Sequence, residues 1–185
     1  MYLQVYLHKN SIVAEQMLKA FMKRLKDLII EHNYCINDKG LEQLLDKNRI
    51  KSYDDSDILE TFVTLDDVDV LKCIKDSINS SDQILKTLAH KLLNRSLFKI
   101  ILSNSPINSD LLKEARQKVK VEHNLSDHNV GNLIISGQET VEIYDNTENE
   151  IKVLKKSGEV IPISQSLEVL FNITNITQYY LCYPK

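Results

Sequence analysis

Five histidines, His8, His32, His90, His123 and His128, and the acidic run Asp66-Asp67-Val68-Asp69 are the residues from which a metal or acid–base centre would be assembled in this chain. No histidine is followed by aspartate, and none is paired with a second at metal-ligand spacing. The three aspartates stand where a helix starts, and there carboxylates serve the free N–H groups and the helix dipole. There is no glycine-rich phosphate loop, no Gly-x-Ser-x-Gly elbow and no His-Glu-x-x-His. The sequence thus nominates no catalytic residue and no metal ligand.

The chemistry that remains is cationic. His8 and Lys9 adjoin Tyr6, and Arg95 and Lys99 stand four apart in "NRSLFK". A guanidinium offers a fork of donors and an ammonium a point charge, which together suit phosphate oxygens. If a helix continues through this segment, both cations share one of its faces. The plainer reading of each pair is solvated surface charge.

These side chains need elements to carry them. Tyr2, Tyr6, Val13, Met17, Ala20 and Leu28 recur at steps of three, four or seven, so the spacing predicts a long amphipathic helix from the first residue to about Asn33, with no cap before it. Tyr2, Val5, Tyr6 and Val13 on that helix are expected to form an apolar surface that its own chain leaves bare. A short helix follows in "GLEQLLDKN". Two more lie in "SYDDSDILETFVTLDDVDVLKCIKDSI", the first capped by Asp54 or Asp55 and the second opened by a Thr64-to-Asp67 capping box. "SSDQILKTLAHKLLNRSLF" reads as another, capped by Ser80 or Ser81, with Ile84, Leu85, Leu88, Leu92 and Leu93 inward. "KIIL" is β-prone, and Ser109 to about Glu122 is helical. Short strands are expected in "NLIIS", "ETVEIYD", "EIKVLKK", "EVIPI" and "QYYLCYP", with a hairpin turn at Lys156-Ser157-Gly158-Glu159. The fold class is α+β: helices over residues 1–100, then a small antiparallel α+β unit over residues 101–185.

Composition sets outer limits. With 43% hydrophobic and 26% charged residues among 185, the chain is of globular type and has no apolar run long enough to span a bilayer. A net charge of −3 argues against a bulk nucleic-acid partner. The N-terminus lacks the form of a signal peptide, so a cytoplasmic location is expected. Cys35, Cys73 and Cys182 are odd in number and far apart, which suits buried thiols better than disulfides or zinc ligands.

Three segments in order carry a family resemblance: Tyr6-Leu7-His8-Lys9 on the long helix, Leu65-Asp66-Asp67-Val68-Asp69 opening a later one, and Asn94-Arg95-Ser96-Leu97-Phe98-Lys99. The set resembles the C-terminal half of HD-domain phosphohydrolases that act as deoxynucleoside triphosphate triphosphohydrolases, the dGTPase-like family. The ending "QYYLCYPK" is similar to the C-terminus of a bacterial branch. The resemblance implies that the first hundred residues complete an all-α HD-type domain. It also implies that the His…His-Asp…Asp metal site lies upstream of Tyr6, with the divalent metal held there and no cofactor in this chain. Tyr6 matches the tyrosine at the floor of the substrate pocket. His8 and Lys9 match residues that touch a nucleotide at a subunit interface, and Arg95 and Lys99 match a basic pair that reaches the triphosphate of a dNTP or GTP-type nucleotide. Gln4 departs from an arginine found in some regulated members.

Two functional readings follow. In the first, the chain is the non-metal part of such a hydrolase, inactive alone, partnered by the HD catalytic region and by further copies of itself in a homo-oligomer. In the second, it is a free-standing, non-catalytic binding or oligomerisation module.

Overall fold

The structure, a computed structural model, describes residues 8–46, 54–142, 152–162 and 175–185. Its elements are α1 (Lys9–His32), α2 (Lys39–Leu45), α3 (Asp55–Thr64), α4 (Asp67–Asp76), a 3-10 turn (Ser77–Asn79), α5 (Gln83–Leu93), β1 (Lys99–Ser103), α6 (Ser109–Glu122), α7 (Asp127–Leu133), β2 (Ile135–Glu142), β3 (Lys152–Leu154), β4 (Val160–Pro162) and β5 (Asn175–Tyr183). Among the described residues the α+β class holds, with five α-helices before β1 and two more, α6 and α7, between β1 and the other strands.

Helix α1 is the spine of the molecule. Ile12, Val13, Met17, Phe21, Leu25, Leu28 and Ile29 fall on one face at helical spacing and are buried. That burial corrects one expectation: Val13 is only 1% exposed and packs inside its own chain. The helix also begins later than its periodicity suggests. His8 has extended backbone (φ −67°, ψ 133°), and its Nδ1 accepts a hydrogen bond from the Asn10 N–H at 3.3 Å, making it the cap of a helix that starts at Lys9. Tyr2, Val5 and Tyr6 lie outside the described residues.

Local capping chemistry sets the next helices, with shifts of one or two residues from expectation at α4 and α5. Asp54 caps α3 through the Asp55 N–H. The capping box of α4 is Asp66 with Asp69 rather than Thr64 with Asp67: Asp66 accepts from Val68 and Asp69, and the Asp69 carboxylate accepts from the Asp66 N–H at 2.9 Å. Asp82, not Ser80 or Ser81, caps α5, accepting from the Leu85 N–H at 2.8 Å, while the Ser80 hydroxyl accepts from the Asp82 N–H. A carboxylate outcompetes a hydroxyl at such a position because it is charged as well as accepting.

The three-stranded sheet has the order β1-β5-β2, all antiparallel, so the last strand of the chain lies in the middle. Lys99 faces Tyr183 in the β1–β5 register, and Ile135 faces Cys182 in the β2–β5 register. Gly137 is required in β2, because a Cβ there would stand 2.5 Å from the hydroxyl of Tyr180 on the neighbouring strand. β3 and β4 form a separate hairpin. Its turn closes as expected, with Gly158 at φ +83° and the Lys155 N–H donating to the Glu159 carbonyl at 2.8 Å.

The sequence "NLIIS" divides: Asn132 and Leu133 end α7, a helix missed in the sequence, and the strand begins at Ile135. One hydrophobic core joins helices and sheet, with Met17 and Phe21 of α1 in the same cluster as Tyr180 and Leu181 of β5. Cys73 and Cys182 are buried, and desolvation pushes their thiols up to about 11 and about 12; at Cys73 the nearby Asp76 adds to the effect and a Ser77 hydrogen bond opposes it. Cys35 is exposed.

Candidate functional site

The segment from Leu93 to Lys99 decides where the candidate phosphate contacts stand. Helix α5 ends at Leu93 with Asn94 as C-cap. The Ser96 N–H then donates to the Lys91 carbonyl at 2.9 Å and the Arg95 N–H to the Leu92 carbonyl at 3.2 Å, the paired bonds of a Schellman ending. That ending needs a left-handed residue at Arg95, whose φ is +52°. Three residues on, Phe98 is buried, and its N–H reaches the Met17 sulfur of α1 at 3.3 Å. The helix therefore cannot continue through "NRSLFK", because Phe98 is drawn into the core as β1 begins.

The expectation that Arg95 and Lys99 share a helix face is corrected by this turn. Arg95 projects from the α5 terminus, and Lys99 opens β1, its ammonium 5.7 Å from the centre of the Tyr183 ring. Both side chains are exposed, and among the described residues neither pairs with a carboxylate. His8 and Lys9 are exposed at the start of α1. Tyr6 is outside the described residues.

Arg95 is among the residues lining a groove of about 500 Å³ that the sequence did not disclose. Its walls are Ala14 and Leu18 of α1, Leu71 and Ile74 of α4, and Leu92 and Leu93 of α5. Glu15 lies on the α1 side, with Lys19 2.6 Å away, and Arg95 on the α5 side. The α1 wall begins five residues past Lys9 in sequence, about 8 Å along the helix axis. The missed signal was on α4: Val68 and Leu71 continue the stripe of Ile74, yet the fold leaves the first two outside.

A second cleft, about 210 Å³ between α1 and the α7–β2 junction, also carries cations, but its charges are mostly satisfied. Arg24 forks onto Asp82, and Lys19 lies near both Glu15 and Glu139. The buried Gln16 side chain donates to Glu139 at 2.7 Å, tying α1 to β2. Among the described residues no three His, Cys, Asp or Glu side chains come together as metal ligands. No described helix is long and apolar enough to cross a membrane.

The comparison that bears on these surfaces is structural. A phosphohydrolase from Bacteroides thetaiotaomicron, known from its crystal structure, superposes on this chain with a TM-score of 0.86 and 28% sequence identity. This chain is similar to half of a phosphohydrolase. The match covers 100% of the present chain and 47% of the Bacteroides one, so the chain spans about half the length of the structure it resembles. No protein-family profile matches the sequence, and no curated protein does.

Proposed function

We propose that this chain is the part of an HD-type, metal-dependent phosphohydrolase that holds no metal, and that it contributes cationic contacts to a nucleotide bound with the help of other polypeptide. The observation carrying this reading is the similarity along the entire chain to one half of a phosphohydrolase. When bound in its own region, the metal supplies activated water for attack on a phosphate ester. This chain's own residues hold the anion. The Arg95 guanidinium and the Lys99 ammonium are exposed and unneutralised by any described carboxylate, as phosphate contacts need to be. His8 and Lys9 at the start of α1 contribute to a nucleotide at a subunit interface, and Tyr6 to the substrate pocket. The substrate class of this reading is a dNTP, hydrolysed to deoxynucleoside and triphosphate.

The left-handed backbone of Arg95 supports a role for its side chain. Glycine would occupy that position without steric cost, whereas a side chain there costs about 1 kcal/mol. Arginine's presence is accounted for if its guanidinium serves a ligand.

The test is product analysis. The 185-residue chain incubated with each dNTP and Mn²⁺ or Mg²⁺ is expected to release nothing. The protein encoded when its genomic reading frame is extended upstream is expected to carry a His…His-Asp…Asp pattern and to release triphosphate and deoxynucleoside. An in-frame stop immediately upstream sinks this reading in favour of a free-standing module, and release of orthophosphate in place of triphosphate sinks the triphosphohydrolase reaction. In the extended protein, Arg95→Ala with Lys99→Ala is expected to weaken the nucleotide response tenfold or more, since each charge-assisted contact is worth roughly 1.5 to 3 kcal/mol. An unchanged response returns both residues to solvated charge.

A further inference from the structure

We infer that the exposed face of α4 is a contact between two copies of this chain, packed α4 against α4 in antiparallel orientation. Two large apolar side chains on this helix point away from the core: Val68 is 65% exposed and Leu71 49%. One turn on, Ile74 is only 4% exposed and, with Leu71, lines the groove shared with α1 and α5. The apolar stripe thus runs from open surface into a recess, which gives a second helix somewhere to seat a side chain.

The occupant is indicated by charge. Asp67, Leu71 and Lys75 follow one another at steps of four along the exposed face, with Val68 and Lys72 beside them. The face is therefore acidic at the helix start, apolar in the middle and basic at the end. Among the described residues Asp67, Lys72 and Lys75 have no ion-pair partner. A twofold axis across the helix sets Asp67 of one copy against Lys75 of the other, twice, and opposes the helix dipoles favourably. Parallel packing would set acid on acid, so only one orientation is self-complementary.

Other exposed apolar residues lack this pattern. On α6 Val121 lies between Lys120 and Glu122, ten residues from the other exposed apolar side chain of that helix, Leu111. Leu59, Phe62 and Val63 form a stripe on α3, but that helix carries Asp55, Asp57 and Glu60 and no base, so α3 against its own copy would be repulsive. A contact built on one short helix and one groove lies at the small end of specific interfaces, which sets the expected dissociation constant in the micromolar range.

Sedimentation velocity of the 185-residue chain over a micromolar concentration series tests the inference. The wild type is expected to pass from monomer to dimer. Leu71→Asp should weaken association about tenfold or more, as loss of a central apolar anchor does, and Val121→Asp should leave it unchanged. Lys75→Glu should weaken it, and adding Asp67→Lys to that variant should restore it by reversing the charge pattern. Each variant's fold is checked by far-ultraviolet circular dichroism. A wild type that stays monomeric throughout overturns the inference and leaves the face to another polypeptide. A dimer indifferent to Leu71→Asp, or a folded charge-swapped variant that fails to recover association, overturns it equally.

Discussion

Helix α5 meets an arginine at each end, and the fold treats the two differently. At its start, Arg24 of α1 donates from Nε to Asp82 at 3.1 Å and from the guanidinium terminus at 2.6 Å, and the same carboxylate caps the helix. Both partners are mostly buried. At its end, Arg95 is exposed, takes the left-handed backbone that favours glycine, and has no described carboxylate beside it. The first arginine is explained by what it joins inside the molecule. The second joins nothing among the described residues, and its left-handed turn would be easier for glycine. Arginine at either position would look the same in composition.

The largest effect that can break this contrast is at Arg24. Arg24→Ala leaves a partly buried carboxylate unpaired and is expected to cost about 3 kcal/mol, roughly 10 °C in Tm; a thermal melt unchanged within error would remove the structural role. Acid titration gives the next effect. Burial acts to raise the Asp82 carboxyl, but the Arg24 hydrogen bond, the Leu85 N–H and the Arg24 charge together hold it below the usual carboxylate range. The folded value lies below the unfolded one, so the stabilisation is fully present above the unfolded carboxylate pKa of about 4 and is lost as pH falls through the lower folded value. Chemical denaturation at stepped pH should therefore show Asp82→Asn losing less stability on acidification than wild type.

Smaller effects sharpen the other side. Arg95→Gly relaxes the left-handed turn and is expected to stabilise the chain by about 1 kcal/mol, while weakening the nucleotide response of the extended protein. A gain in Tm accompanied by an unaltered response would separate strain from function and leave Arg95 without a role. The control is the end of α6, where Asn124 holds φ +49° and the Leu125 N–H closes onto the Lys120 carbonyl at 3.2 Å, the same wide bond that Ser96 makes after α5. Asparagine tolerates this conformation, so Asn124→Gly should raise stability by only a few tenths of a kcal/mol. An equal gain at both positions would show that Arg95 stores no more strain than an ordinary helix end.

Elements governed by neighbours a few residues away were legible in the sequence. The helix over Ser109–Glu122, the short helix at "GLEQLLDKN" and the turn at Gly158 follow from periodicity and turn chemistry alone, since their hydrogen bonds close within a few residues. The capping errors at Thr64 and Ser80 have the same scale: the helices were found, and the side chain that won each cap was an aspartate two residues on. His8, Lys9, Arg95 and Lys99 could be singled out by type and order, and their exposure suits the role given to them.

What the tertiary structure decided was which side each surface faces. Val13 and Val68 both belong to apolar helical stripes, yet one is sealed in the core and the other lies open, because only α1 is enclosed by α5 and the sheet. Periodicity gives the direction of a stripe but not whether a partner exists for it. The placement of β5 between β1 and β2, and the Gln16–Glu139 bond across 123 residues, depend on pairings that no local spacing encodes. The turn at Arg95 is of the same kind. Phe98 is pulled onto Met17, 81 residues earlier, and that distant contact ends the helix, parts Arg95 from Lys99 and leaves Arg95 lining the groove.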